Sequence, residues 1–72
     1  MEPLLTFLKT TQLNTTITLF LISGAYIEGT FLGFNKDKNN VIMIEATHIS
    51  GKATGRKIAV SLHPEKVVAW GN

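Results

Sequence analysis

The chain has no cysteine, so neither a disulfide framework nor a thiolate zinc site can hold it together. It contains only two prolines and no low-complexity stretch. No apolar run approaches the ~20 residues that a membrane-spanning helix requires. A charge excess is missing too: seven Lys and Arg stand against five Asp and Glu, a net of +2. That balance does not by itself indicate nucleic acid, although it would add up in an assembly of several copies. Met1-Glu2-Pro3 is acidic where a secretion signal needs a basic start, so a soluble, cytoplasmic protein with no membrane partner is expected. Without such a signal, Asn14-Thr15-Thr16 reads as a polar turn rather than a glycosylation site. The sequence has no phosphate-binding P-loop, and its two histidines, His48 and His63, lack metal-ligand spacing. Ser61 and His63 lie two apart with no obvious acid to orient them. No catalysis, metal or cofactor is expected.

What is present is apolar. Hydrophobic residues make up 44% of the 72 positions and charged ones 17%, a sticky composition for one small domain spanning residues 1–72. A chain this short buries only about 60% of its unfolded surface. Some apolar surface and some strand edge are therefore expected to be covered by other subunits.

The stretch Thr16–Ala46 organises the rest. Before it, Glu2–Gln12 reads as a short helix: Pro3 suits the first turn, and Leu4, Leu5, Phe7 and Leu8 form one apolar face. About ten residues do not hold as a helix alone in water, so this one must pack on the sheet that follows. Thr15–Ile22 alternates as a strand and ends in the turn signal Ser23-Gly24. Ala25–Phe34 is a second strand whose Gly29 and Gly33 permit a bulge or sharp curvature. Asn35–Asn40 is a polar elbow. Val41–Ala46, nearly continuous in apolar character, is a third strand expected to be buried on both faces. Thr47–Gly55 reads as a loop, basic toward its end at Lys52, Arg56 and Lys57. Lys57–Leu62 is a fourth strand, His63-Pro64-Glu65 a tight turn, and Lys66–Trp70 a short final strand. The expected architecture is mainly β: a short helix (2–12), then five antiparallel strands (15–70) curled into a small barrel, SH3-like or OB-like.

This order of residues resembles the Sm and Sm-like family, closest in layout to the Hfq-type RNA-binding proteins of bacteria. The first Sm motif is matched by Ile17, Leu19, Gly24, Gly29, Phe31, Gly33, Phe34, Asn40, Val41, Ile42 and Ala46. The start Glu2-Pro3-Leu4-Leu5 is similar to that of the Hfq-type helix. At the second motif, Leu62-His63-Pro64 stands where Ile-Arg-Gly is usual, and His63 answers to the histidine of the Hfq-type Lys-His pair. The likeness covers nearly the whole chain. It implies a strongly bent five-stranded SH3-like (Sm-fold) barrel. It also implies a homo-oligomeric ring in which the last strand, Lys66–Trp70, pairs with the fourth strand of the next subunit.

The resemblance implies U- or A-rich single-stranded RNA as partner, held by the loops after strands two and four. Such a site needs an amide to read a base edge, a stacking surface and cations for phosphate. Asn40 is the matching amide; its other reading is a turn residue ending the elbow. His63 can stack on a base or donate to phosphate, and its other reading is a strand-end histidine. Lys36 and Lys38 can contact phosphate or simply solvate a loop. Asn35 stands where Asp is usual, and no aromatic residue lies between Asn35 and Asn40. On a second surface, Phe20 and Gly24 match the Hfq-type adenine-binding positions, near Tyr26, Ile27 and Glu28. There Phe20 either stacks a purine or packs under the helix or at a subunit interface. The expected function is thus non-catalytic RNA binding by a ring, as an RNA chaperone or processing scaffold. The alternatives are a ring or barrel for protein–protein assembly whose RNA site has decayed, and an OB-like nucleic-acid binder without a shared-strand ring.

Overall fold

The first strand contact that matters is one only glycine allows. In the computed structural model, which describes residues 2–35, 37 and 40–71, a Cβ on Gly29 would lie 2.2 Å from the Glu45 carbonyl oxygen and 2.8 Å from the Ala46 Cα. Two strands meet there closer than any side chain permits. Around that contact the chain forms α1 (Glu2–Thr10), β1 (Thr16–Leu21), β2 (Tyr26–Asn35), β3 (Val41–Ile49), β4 (Lys52–Leu62) and β5 (Val67–Gly71). A 3₁₀ turn, Pro64–Lys66, links β4 to β5. All strand pairs are antiparallel, in the order β4-β3-β2-β1-β5. This is the mainly β, helix-then-five-strand arrangement read from the residues, in the SH3-like (Sm-fold) form that the resemblance implies. No helix among the described residues is long and apolar enough to cross a membrane.

The sheet bends at two irregularities. Phe31 pairs with Ile44 and Gly33 with Met43, so Leu32 is the extra residue of a bulge, and Gly33 takes a φ of 114° that side chains avoid. The second lies at Thr47, which is left over on β3 between Ala46 and His48. Its hydroxyl donates to the Glu28 carbonyl at 3.2 Å. The two sequence glycines thus have separate roles: Gly29 gives close approach, Gly33 gives the turn of the bulge.

One face of the bent sheet and one face of the helix share a core of Leu4, Leu8, Ile17, Leu19, Ile27, Phe31, Ile42, Ile44 and Ala46. Leu4 and Leu8 are four apart, hence on one helical face, and both are fully buried. Burial of each large apolar side chain contributes roughly 1.5–3 kcal/mol, which is what holds a helix too short to stand alone. At the other end of the sheet order, Trp70 of β5 meets Phe7 with ring centroids 6.3 Å apart.

Several boundaries differ from expectation. The helix stops at Thr10 rather than Gln12; the Thr10 and Thr11 hydroxyls turn back to the carbonyls of Thr6 and Phe7. β3 is not buried on both faces. Ile42, Ile44 and Ala46 point inward, while Met43 and Glu45 are partly exposed, so the apolar run hid an ordinary alternation. Thr47–Gly55 is not a loop. β3 runs on to Ile49 and β4 begins at Lys52, joined by Ser50-Gly51, both at positive φ (51° and 86°). That pair of conformations is the tight hairpin turn whose twist matches flanking strands. Lys66 belongs to the 3₁₀ turn, and β5 starts at Val67, because Pro64 sits buried at the start of that turn.

Replacing Gly29 with Ala forces a methyl into a backbone carbonyl. We expect a loss of about 3 kcal/mol or more, a large part of the stability of so small a domain. Urea denaturation followed by circular dichroism measures it; a Gly29→Ala chain as stable as the parent would contradict the close contact.

Candidate nucleic-acid interface

The strand register decides which predicted residues meet. Asn35 ends β2 and pairs with Val41 at the start of β3, while Ile42 pairs with Leu62 at the end of β4. His63 directly follows Leu62, and Asn40 directly precedes Val41, next to that pair. Asn35, Asn40 and His63 therefore lie at one end of the sheet, within about two strand spacings, or ~10 Å. Lys36 and Lys38 lie outside the described residues.

Local chemistry explains each of the three. Asn35 is half-buried, and its side-chain oxygen accepts the Asp37 N–H at 3.1 Å. It therefore folds the elbow, as a short amide does in an Asx turn. Asn40 has a φ of 60° and is exposed. Asn tolerates this left-handed backbone better than most residues, so the turn role is real. The exposed amide is also positioned to present an acceptor and two donors outward. The two readings of Asn40 thus coexist in one residue: backbone for the turn, side chain for solvent or ligand.

His63 is exposed and sits just before the 3₁₀ turn, where its side chain makes no capping bond. Its carbonyl accepts the Lys66 N–H at 3.0 Å, and the buried Pro64 fixes the chain beside it. The imidazole is left to face outward. The stacking partner that the elbow lacks does not come from a neighbouring aromatic: Phe31 and Phe34 are paired edge-to-face, 5.7 Å apart, against the core.

Phe20 lies on the opposite, outer face. It is 43% exposed and pairs across strands with Tyr26, their rings 5.5 Å apart. It does not belong to the cluster beneath the helix. Beside it, Glu28 Oε1 lies 3.4 Å from His48 Nδ1, and the Thr47 hydroxyl lies 3.2 Å from the same nitrogen. This puts a carboxylate on the surface Phe20 would offer to a base. The sequence sets Tyr26 near Phe20, and the signal for their contact is the direct pairing of positions 20 and 26 across the Ser23-Gly24 turn.

A groove of about 460 Å³ opens elsewhere, between the end of α1 and the Gly33 bulge, against Leu13, Phe31 and Leu32. It includes none of the predicted contact residues, so binding at Asn40 and His63 would use an open surface rather than a cavity. Comparison with protein-family models, curated proteins and solved structures finds no match to this chain.

Because Asn40 carries both roles, Gly and Ala substitutions separate them. Asn40→Gly should keep stability within about 0.5 kcal/mol, while Asn40→Ala should cost about 1 kcal/mol for the strained backbone. Thermal unfolding of both variants gives the comparison; equal loss in both would show that the side chain itself holds the fold.

Proposed function

We propose that the chain is an Sm-like subunit of a cytoplasmic homo-oligomeric ring that binds single-stranded, U- or A-rich RNA without catalysis. The observation that carries this reading is the register. It brings an outward amide, Asn40, and an outward imidazole, His63, from separate loops to one end of the sheet. An amide that reads a base edge and a ring that stacks or donates to phosphate are two of the three elements such a site needs. Lys36 and Lys38, on the same elbow in sequence, would supply the third. The outer aromatic pair Phe20 and Tyr26 offers a second stacking surface for a purine.

The ring is supported by the two outer strands. β4 and β5 end the sheet order, so each has one edge without a partner among the described residues. On β5, Phe20 pairs with Ala69 and Leu21 with Val67, which leaves Val68 bulged out and 58% exposed. An apolar side chain on an open edge is what a strand-pairing neighbour would cover.

A second reading, a ring or barrel for protein assembly alone, is favoured by one feature. The Asn35 amide oxygen is engaged within the elbow rather than free to meet a base.

Titration with oligo-U and oligo-A at several salt concentrations distinguishes them. With about one phosphate engaged per subunit of a six-fold ring, log K should fall against log salt with a slope near −4. Absence of binding at low salt would leave only the assembly reading. Asn40→Gly should weaken oligo-U about tenfold, equivalent to ~1.4 kcal/mol, without altering subunit number. For the ring, native mass spectrometry of the parent should give one closed multiple of 7.9 kDa. Val68→Asp should yield monomers, and a parent chain that is a stable monomer would rule the shared-strand ring out.

A further inference from the structure

The register of the β3–β4 hairpin contains a large mismatch. Ala46 pairs with Ile58 and His48 with Ala53. Between those pairs β3 supplies Thr47 alone, while β4 supplies Thr54, Gly55, Arg56 and Lys57. Four residues oppose one, so this part of β4 is thrown outward as a small loop in the middle of a strand. The loop has its own fastening. The Thr54 hydroxyl lies 3.3 Å from the Thr47 carbonyl and 3.5 Å from that of Ala46, and it also reaches the Arg56 carbonyl. Gly55 takes a φ of 76°, and no atom lies within 4 Å of where its Cβ would be. The space over Gly55 is open.

The charge of the chain is concentrated here. Between Glu45 and Glu65 there are three cations, Lys52, Arg56 and Lys57, and no carboxylate. The remaining residues hold four cations against five carboxylates. The segment from Ala46 to Pro64 thus carries +3 in a molecule whose total is +2. Arg56 and Lys52 are exposed, and neither lies within ion-pair distance of a carboxylate among the described residues. Lys57 is paired with Glu45 at 3.8 Å, but its side chain is 75% exposed. An exposed pair of that length is weak, so Lys57 can turn to another anion at little cost.

We propose that the Thr54–Lys57 bulge, with Lys52 beside it, is a second contact for the phosphate backbone of single-stranded nucleic acid. The inference rests on the RNA reading above and adds to it a separate place on the molecule. Thr47 lies six residues along β3 from Val41, which places the bulge roughly 20 Å from the Asn40–His63 end at ~3.3 Å per residue. One phosphate cannot serve both, and only a strand several nucleotides longer can reach the two. Gly55 leaves room for a backbone to approach, Arg56 offers a planar fork of donors, and Lys52 and Lys57 add point charges. With no base-reading amide in the bulge, this contact is independent of sequence.

The test compares oligo-U of about 5 and about 20 nucleotides on the full chain and on Arg56→Gln/Lys57→Gln, with Thr54 and Gly55 kept. The double variant should bind the short oligomer within twofold of the parent and the long one about tenfold more weakly. Its salt slope for the long oligomer should be smaller by about 1.4 per engaged bulge, two phosphates at ~0.7 each. Arg56→Lys/Lys57→Arg, which keeps the charges, should bind as the parent does, and Lys52→Gln alone should shift the long oligomer in the same direction by less. Unchanged long-oligomer affinity and slope in the double variant would overturn the bulge contact and leave the RNA reading standing. Failure of the parent to bind either oligomer at low salt would remove the RNA reading and this inference with it. A poly-glutamate peptide that displaces the long oligomer as well as oligo-U does would overturn the assignment to nucleic acid.

Discussion

The contact of Gly29 with the Glu45–Ala46 backbone is the constraint on which the other features depend. It brings β2 and β3 together more closely than side chains allow. With the strands held that close on one side, the sheet can curl around Ile27, Phe31, Ile44 and Ala46 rather than lie flat. The bulge at Leu32-Gly33 adds to the same bend further along β2. The antiparallel order of the strands and their register set the β2–β3 elbow and the β4–β5 junction at one end, which Asn40 and His63 share.

The helix is secondary in this scheme. It is nine residues long and closes the core with two leucines one turn apart. Its role is to cover the open side of the sheet, and Phe7 against Trp70 ties it to the last strand. Because β5 is the last strand in sequence and pairs, among the described residues, with β1 alone, the helix and β5 stabilise each other from distant parts of the chain. Surface ion pairs contribute little by comparison. Among the described residues, Lys57 and Glu45 lie 3.8 Å apart on an exposed and a partly exposed side chain, and the Glu28–His48 contact at 3.4 Å joins two partly exposed ones.

Much of the fold was legible because its signals are local. Alternation in Thr16–Leu21, the Ser23-Gly24 turn, and glycines at 29 and 33 each point to one conformation. What could not be read was the hairpin from Thr47 to Gly55. Its glycines and polar residues look like a loop, yet only Ser50-Gly51 turns, and Gly55 serves a bulge within a strand. The information that separates a turn glycine from a bulge glycine is the pairing partner, which lies on another strand. The apolar run Val41–Ala46 misled in the opposite way, since Met43 and Glu45 face partly outward through the bend. At the candidate interface the sequence pointed to Asn40 and His63 through their place between strands. It could not show that Asn35 is engaged by Asp37, or that Phe20 lies against Tyr26. Those are questions of side-chain direction.

The four-against-one bulge in β4 also bears on how the molecule survives at high concentration. β4 is eleven residues long and lies at the edge of the sheet. A flat edge of that length is a template for stacking chain upon chain, because every second peptide group offers an unmet donor and acceptor. An outward loop at residues 54–57, which carries Arg56 and Lys57, breaks that repeat: a strand laid along β4 loses register at Thr54 and meets positive charge there. Only the stretch from Ile58 to Leu62 remains regular, and it matches the five residues of β5 in length. The same distortion therefore limits regular edge pairing to one short segment, and a second chain laid along β4 cannot extend past it in register.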